Sequence, residues 1–252
     1  EDSICKGFAE KNKLFYILTN SRSFSKAKTT QVHHDICRRV IKVADDMKRK
    51  FLIISRSDST LRGHYPLETE ILADEIEKGT SLQVDGEILC PFFREGGRYT
   101  IDNVHYVKYD EQLVPAGQTE FAQDKTFGYT SSNLCNYIEE KTNGKFKKEN
   151  VVAISLTELR NGQIDHMVQK LMSVHDFGKV IVNAAAQDDI RTFVIALYKA
   201  MAEQEQQEGY KITLHMPSYL PIMQYCSKRQ LREELYKAYV TRASELSNDA
   251  KF

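Results

Sequence analysis

Through its first two hundred residues the chain repeats one arrangement. A short apolar run rich in β-branched residues is followed by polar turn residues, then by apolar positions three or four apart. Leu14–Leu18 (LFYIL) reads as the first strand, ending in TNSRS. Ser25 then caps a helix whose apolar positions are Val32, Ile36, Val40, Val43 and Met47. Phe51–Ile54 (FLII) predicts the next strand. After the loop SRSDSTLRGHY, Pro66 opens a helix that Leu67, Ile71 and Ile76 continue and Gly79 stops. Glu87–Phe93 (EILCPFF) predicts a third strand, cut short or bent by Pro91. Val151–Leu156 and Lys179–Asn183 are the fourth and fifth, followed by helical patterns at 163–172 and 188–201.

Apolar strands alternating with helices predict an α/β protein, a three-layer α/β/α domain with a mostly parallel sheet. Ligands of such sheets bind beyond the carboxyl ends of the strands. Between Glu95 and Lys148 the pattern gives way to a Gly-, Thr- and aromatic-rich stretch with pieces such as VHYVKY, which reads as a long insertion or lid. It changes again near residue 203. There the polar run EQEQQE ends at Gly209, and Ser227 caps an amphipathic helix with Leu231, Leu235, Tyr239 and Leu246 on one face. The expected organisation is therefore an α/β domain over 1–202 and a short helical appendage over 203–252, outside the sheet.

Composition narrows the function classes. Thirty-five basic residues balance thirty-five acidic ones, so no net charge argues for nucleic acid or an anionic membrane as a partner. No apolar run approaches the roughly 20 residues that span a bilayer. Five scattered cysteines without a CxxC pair fit reduced thiols and a cytoplasmic location. HExxH, GxxxxGK[ST], GxSxG and GxGxxG are all absent, which leaves zinc peptidase, P-loop kinase, α/β-hydrolase and simple dinucleotide-binding readings without their motifs. His33 and His34 are adjacent on a helix and point about 100° apart, so they read as surface residues rather than a metal pair. No metal site is expected.

The densest chemistry lies in Ser55–Glu70 (SRSDSTLRGHYPLETE), between a strand and a helix start. Arg62 can grip a carboxylate in a two-pronged pair. Asp58 can accept from sugar hydroxyls or take a proton, and Gly63 permits backbone conformations closed to other residues. Ser59 and Thr60 add hydroxyls. A well-capped turn uses the same residue types, so spacing alone does not choose between turn and site. Arg22, after the first strand, and Gly96, Gly97 and Arg98, after the third, stand in equivalent loops and favour a shared anion site. Asn183, Asp188 and Asp189 follow the fifth strand, where Asp188 reads more plainly as a helix cap.

ILTNSRS, DSTLRGH, FFREGGR, LVPAGQTEFAQDKTFGYTSSNL and VIVNAAAQDD stand in an order and spacing that resemble the N-terminal domain of the four-carbon acid sugar kinases, over about residues 10–202. The resemblance implies binding of a threonate, erythronate or oxo-tetronate type acid. With that ligand, Arg22, Ser59, Thr60, Arg62, Gly63, Gly96, Gly97 and Arg98 are the expected substrate-binding residues and Asp58 the catalytic candidate. In the full-length family a second domain supplies ATP and Mg²⁺. The family's opening DD-x-TG loop and its ATP domain have no counterpart here, so no cofactor is expected on this chain alone. A folded, non-catalytic binding module is the alternative reading, and a homodimer stays open. Residues 209–252 (MPSYLPIMQYC, LREELYKAYVTRASEL) resemble a stretch of the oligopeptidase A-like zinc peptidases, without zinc ligands.

Overall fold

A computed structural model describes residues 1–10, 14–207 and 212–215. Its seven described α-helices are α1 (Asp2–Ala9), α2 (Lys26–Asp46), α3 (Leu67–Gly79), α4 (Leu134–Lys141), α5 (Leu156–Arg160), α6 (Ile164–Met172) and α7 (Gln187–Gln207). Strands β1 (Ile54–Ser55), β2 (Gly86–Leu89), β6 (Val152–Ile154), β7 (Gly178–Val182) and β8 (Ile212–His215) form one sheet in the order β1-β8-β2-β7-β6, with every pair parallel. Strands β3 (Arg98–Ile101), β4 (Val104–Tyr109) and β5 (Gln112–Pro115) form a separate antiparallel sheet.

The period of two along a strand divides the core into layers. Ile88, Val180, Val182 and Ile154 pack with Met167, Leu171, Ile190, Phe193 and Leu197 of α6 and α7. The alternate residues, Leu89 and Ile181, meet Leu61, Tyr129, Tyr137 and Ile138 on the other face. A third cluster joins α2 to α3 through Cys37, Ile41, Leu72 and Ile76. The mostly parallel α/β sheet expected from the sequence is present. Ser25 caps α2 by accepting from the Lys28 amide, α3 ends on Gly79, and β2 stops before Pro91. Among the described residues no helix is long and apolar enough to cross a membrane.

Four expectations need correction. Leu14–Leu18 forms no strand. Phe15 folds onto α1, edge to face with Phe8 and against Gly7, whereas Leu18 stays 93% exposed. Strand propensity alone holds no strand without a paired neighbour, and none of the described strands pairs with this run. Of the insertion or lid expected between Glu95 and Lys148, the structure shows an insertion with its own sheet and not a lid. These residues pack α4 and the antiparallel sheet onto the main sheet through the Leu89–Ile181 cluster. His33 is buried rather than at the surface, with Nδ1 2.8 Å from the Thr29 carbonyl and Nε2 3.7 Å from Glu68, because the α2 stripe that meets α3 runs through His33 and Cys37.

The last correction concerns the tail. The 202/203 boundary falls inside α7, and Ile212–His215 enters the sheet between β1 and β2, with Leu214 opposite both Ile54 and Ile88. A four-residue strand carries little local signal, and its partners lie far away in the chain. The helix expected at 227–246 lies outside the described residues.

Candidate functional site

The loop from Arg56 to Pro66 leaves the carboxyl end of β1 and runs into α3. Its centre is Asp58. The carboxylate Oδ1 accepts from the Thr60 amide at 2.9 Å. Oδ2 takes three guanidinium contacts: Arg22 Nη1 at 2.7 Å, Arg62 Nε at 2.8 Å and Arg62 Nη2 at 2.7 Å. Arg62 Nε also reaches the Thr60 hydroxyl at 3.0 Å. Burial opposes ionisation of Asp58, but the Thr60 amide and hydroxyl, then Arg62 and Arg22, outweigh it and hold the carboxyl below its ordinary range. Such a carboxylate is a poor proton acceptor near neutrality. The geometry therefore favours Asp58 as the group that orients two arginines over the catalytic role expected of it.

Arg22 does not follow a strand. It sits in a short 3-10 turn, Ser21–Ser23, entered through Asn20 at φ 53°. Ser21 Oγ donates to the buried Glu68 carboxylate at 2.5 Å, and the His64 ring meets the Phe24 carbonyl at 3.0 Å, so the turn is docked on the start of α3. The Arg22 side chain itself remains 56% exposed, which makes its bond to Asp58 energetically minor and leaves it available.

Arg98 starts β3, after the Phe93–Gly97 turn that Gly97 closes at φ 70°. Its Nη1 donates to the Gly96 carbonyl, and its buried Nε has no hydrogen-bond partner among the described residues. Phe121 brings Arg98 and Arg62 together, with their guanidinium carbons 5.4 and 4.8 Å from its ring centre. Arg22, Arg62 and Arg98 thus form one linked set through Asp58 and Phe121.

The remaining expected residues take the following places. Gly63 is not in the left-handed region. Its need is close approach, since a Cβ there would lie 2.4 Å from Ser57 Oγ. Leu61 carries the positive φ instead, at 63°. Thr60 is buried, with its hydroxyl turned to Arg62. Ser59 contributes its carbonyl, which meets His105 Nε2 at 2.8 Å. Asn183 ties the end of β7 to Asn103 through both amide atoms. Asp189, not Asp188, caps α7, accepting from the Ala185 and Ala186 amides at 2.9 and 2.8 Å and pairing with Arg160.

The sequence reading missed Phe121, His105, Tyr129 and Tyr137. Only His105 left a local trace, as a polar residue at an inward position of the alternating run VHYVKY. Away from this cluster, a cavity of about 260 Å³ opens at the amino-terminal edge of β6 and β7, lined by Phe146, Val152, Val174 and Lys179 among others. It shares no residue with the arginine cluster.

Part of the chain is similar to oligopeptidase A. Identity is 40% over 99 residues with the Salmonella typhimurium enzyme and 38% over 99 residues with that of Escherichia coli, each match covering 39% of this chain and 14% of the relative. Those matches are longer than the 44 residues expected from the tail. A solved Haemophilus influenzae protein of the DUF1537 family shares the fold at a TM-score of 0.54 and 13% identity, covering 84% of this chain and 44% of that one. A Salmonella typhimurium LT2 structure aligns with the same TM-score at 11% identity, over 86% of this chain and 44% of its own. Residues 3–209 match the sugar-binding N-terminal domain, and the chain belongs to that family.

Proposed function

We propose that this chain binds a four-carbon sugar acid, of the threonate, erythronate or oxo-tetronate type, as the substrate-binding part of an ATP-dependent kinase that phosphorylates one of the acid's hydroxyls. The observation that carries the reading is the set of three guanidinium groups gathered around Asp58 and Phe121. Arg62 commits Nε and Nη2 to Asp58 and Thr60. The buried Arg98 Nε–H has no acceptor among the described residues. Membership of a sugar-binding family supports a polyhydroxylated ligand.

The reading places the protein in the cytoplasm with a small-molecule partner. ATP and Mg²⁺ would act from outside this chain. Among the described residues no group of three or more His, Cys, Asp or Glu side chains is arranged to hold a metal ion. In this reading the chain's own residues bind and orient the acid, and phosphoryl transfer rests on positioning and charge neutralisation.

Calorimetric titration of threonate and erythronate into the full chain tests the reading, with the neutral polyol threitol as control. Both acids are expected to bind and threitol is not. Arg62→Ala should weaken acid binding by roughly 1.5–3 kcal/mol, because it removes a charged hydrogen-bond donor and strips Asp58 of a counter-ion. Absence of heat with every acid, or affinity unchanged by Arg62→Ala, would refute it.

A further inference from the structure

Three successive carbonyls of the arginine-bearing loop are each met by a side chain from the 95–148 region. The His105 ring Nε2 lies 2.8 Å from the Ser59 carbonyl, Tyr129 Oη donates to Thr60 at 2.8 Å, and Tyr137 Oη donates to Leu61 at 3.1 Å. The fourth, Arg62, receives Ser57 Oγ from within the loop at 3.4 Å. His105, Tyr129 and Tyr137 are all buried. The two rings of Tyr129 and Tyr137 stand edge to face at 5.5 Å, and Tyr65 stacks on Tyr137 at 5.6 Å, so the donors are themselves held by packing. Thr100 Oγ1, 3.0 Å from His105 Nδ1, orients the imidazole.

The clamp holds a backbone that does not hold itself. Leu61 sits at φ 63°, a conformation that side-chain-bearing residues adopt at a cost and keep only where the surroundings over-determine it. It immediately precedes Arg62, so the forced turn sets where that guanidinium points. The three carbonyl oxygens are turned toward the 95–148 side of the loop. Asp58 is then the acceptor that the loop presents to Arg22 and Arg62.

We propose that His105, Tyr129 and Tyr137 are positioning residues of the anion site, which fix the Ser59–Leu61 backbone so that Arg62 and Asp58 meet a ligand carboxylate in one arrangement. The ligand half of this inference rests on the acid-binding reading. The backbone half does not, and the test keeps the two apart.

Amide hydrogen exchange of the full chain, resolved at Thr60 and Leu61, is compared in Tyr129→Phe, Tyr137→Phe, His105→Leu and His105→Gln. Threonate calorimetry is run on the same samples. Each Tyr→Phe change and His105→Leu should speed exchange at Thr60 and Leu61 about tenfold, the size of one lost buried hydrogen bond, while α6 and α7 amides keep their rates. Threonate affinity should fall by a similar factor. His105→Gln, which retains a donor, should recover most of both effects. If His105→Leu fails to fold, the two tyrosine variants decide alone.

Unchanged loop exchange in the variants overturns the proposal. So does exchange that rises equally in the loop and in α6–α7, which would mean a general loss of stability. Threonate binding by the wild type that the variants retain in full also overturns it. A loop that loosens as expected in a protein that binds no threonate sinks the acid reading and supports the clamp.

Discussion

His105 makes the clamp's histidine measurable through acid stability. It is fully buried between Thr100 and the Ser59 carbonyl. Burial, seconded by the nearby Arg98 charge and opposed by the bond to Ser59, pulls its pKa from 6.5 down to about 4. The folded state therefore prefers the neutral ring. Its contribution to stability is fully present above about pH 6.5, declines as the unfolded chain takes up a proton, and is lost once pH falls through about 4. Between those limits one proton separates the two states, so stability falls by about 1.4 kcal/mol per pH unit. From pH 7.5 to pH 4.5 the loss comes to about 2.5 kcal/mol.

The His105→Gln variant retains a donor for Ser59 and has no such titration. Urea unfolding of both proteins across that range should show the wild type losing about 2.5 kcal/mol more than the variant. Asp58, whose pKa is depressed, makes both proteins acid-sensitive and cancels in the difference. Parallel stability curves would refute the account of His105 as a neutral, buried donor.

Two further changes probe the sheet. Lys179 and Glu87 are cross-strand neighbours on β7 and β2, bonded at 2.7 Å and almost without exposure, with the Lys179 ammonium 3.5 Å from the Phe177 ring centre. Lys179→Met should cost about 3–5 kcal/mol in urea unfolding by leaving Glu87 buried and unpaired, while adding Glu87→Gln restores much of it; equal losses in the single and double variants would contradict this. Removing residues 208–252 takes β8 out of the sheet and should lower the unfolding midpoint or drive aggregation, whereas an unchanged midpoint in a monodisperse truncated chain would show that β8 is dispensable.

What the sequence revealed tracks how local each cause is. KVIVN and EILC are β-branched or apolar runs bounded by turns, and each became a strand. Ser25, Gly79 and Pro91 ended their elements where chain chemistry alone requires it. LFYIL carries the same local signal and failed, because a strand needs a partner and local composition does not name one. The site divides along the same line. Arg22, Asp58, Arg62 and Arg98 were visible as charge gathered in polar loops after apolar runs, although the run before Arg22 is not a strand. The groups that hold them were not, since the bonds of His105, Tyr129 and Tyr137 to the loop span 46, 69 and 76 residues. Phe121, which brings Arg62 and Arg98 together, looks in the sequence like any other aromatic in a polar stretch.

The sheet order sets a condition on the fold that the family match alone does not meet. The matched region, 3–209, contains β1, β2, β6 and β7, yet β1 and β2 do not pair with each other. A strand stands between them, and it comes from residues 212–215. Strands in a sheet lie about 4.8 Å apart, so β1 and β2 are two spacings from one another and cannot exchange hydrogen bonds directly. Without the intervening backbone, β1 has no partner among the described strands, and one edge of β2 faces an open slot with unmet donors and acceptors. The loop that carries Asp58 and Arg62 leaves from β1. Its anchorage to the sheet therefore runs through a segment beyond the matched domain, whereas its anchorage to the antiparallel side runs through His105, Tyr129 and Tyr137. Loss of β8 should release the β1 end of the loop while the clamp still holds its centre, which makes the arginine cluster sensitive to the backbone pairing of residues 212–215.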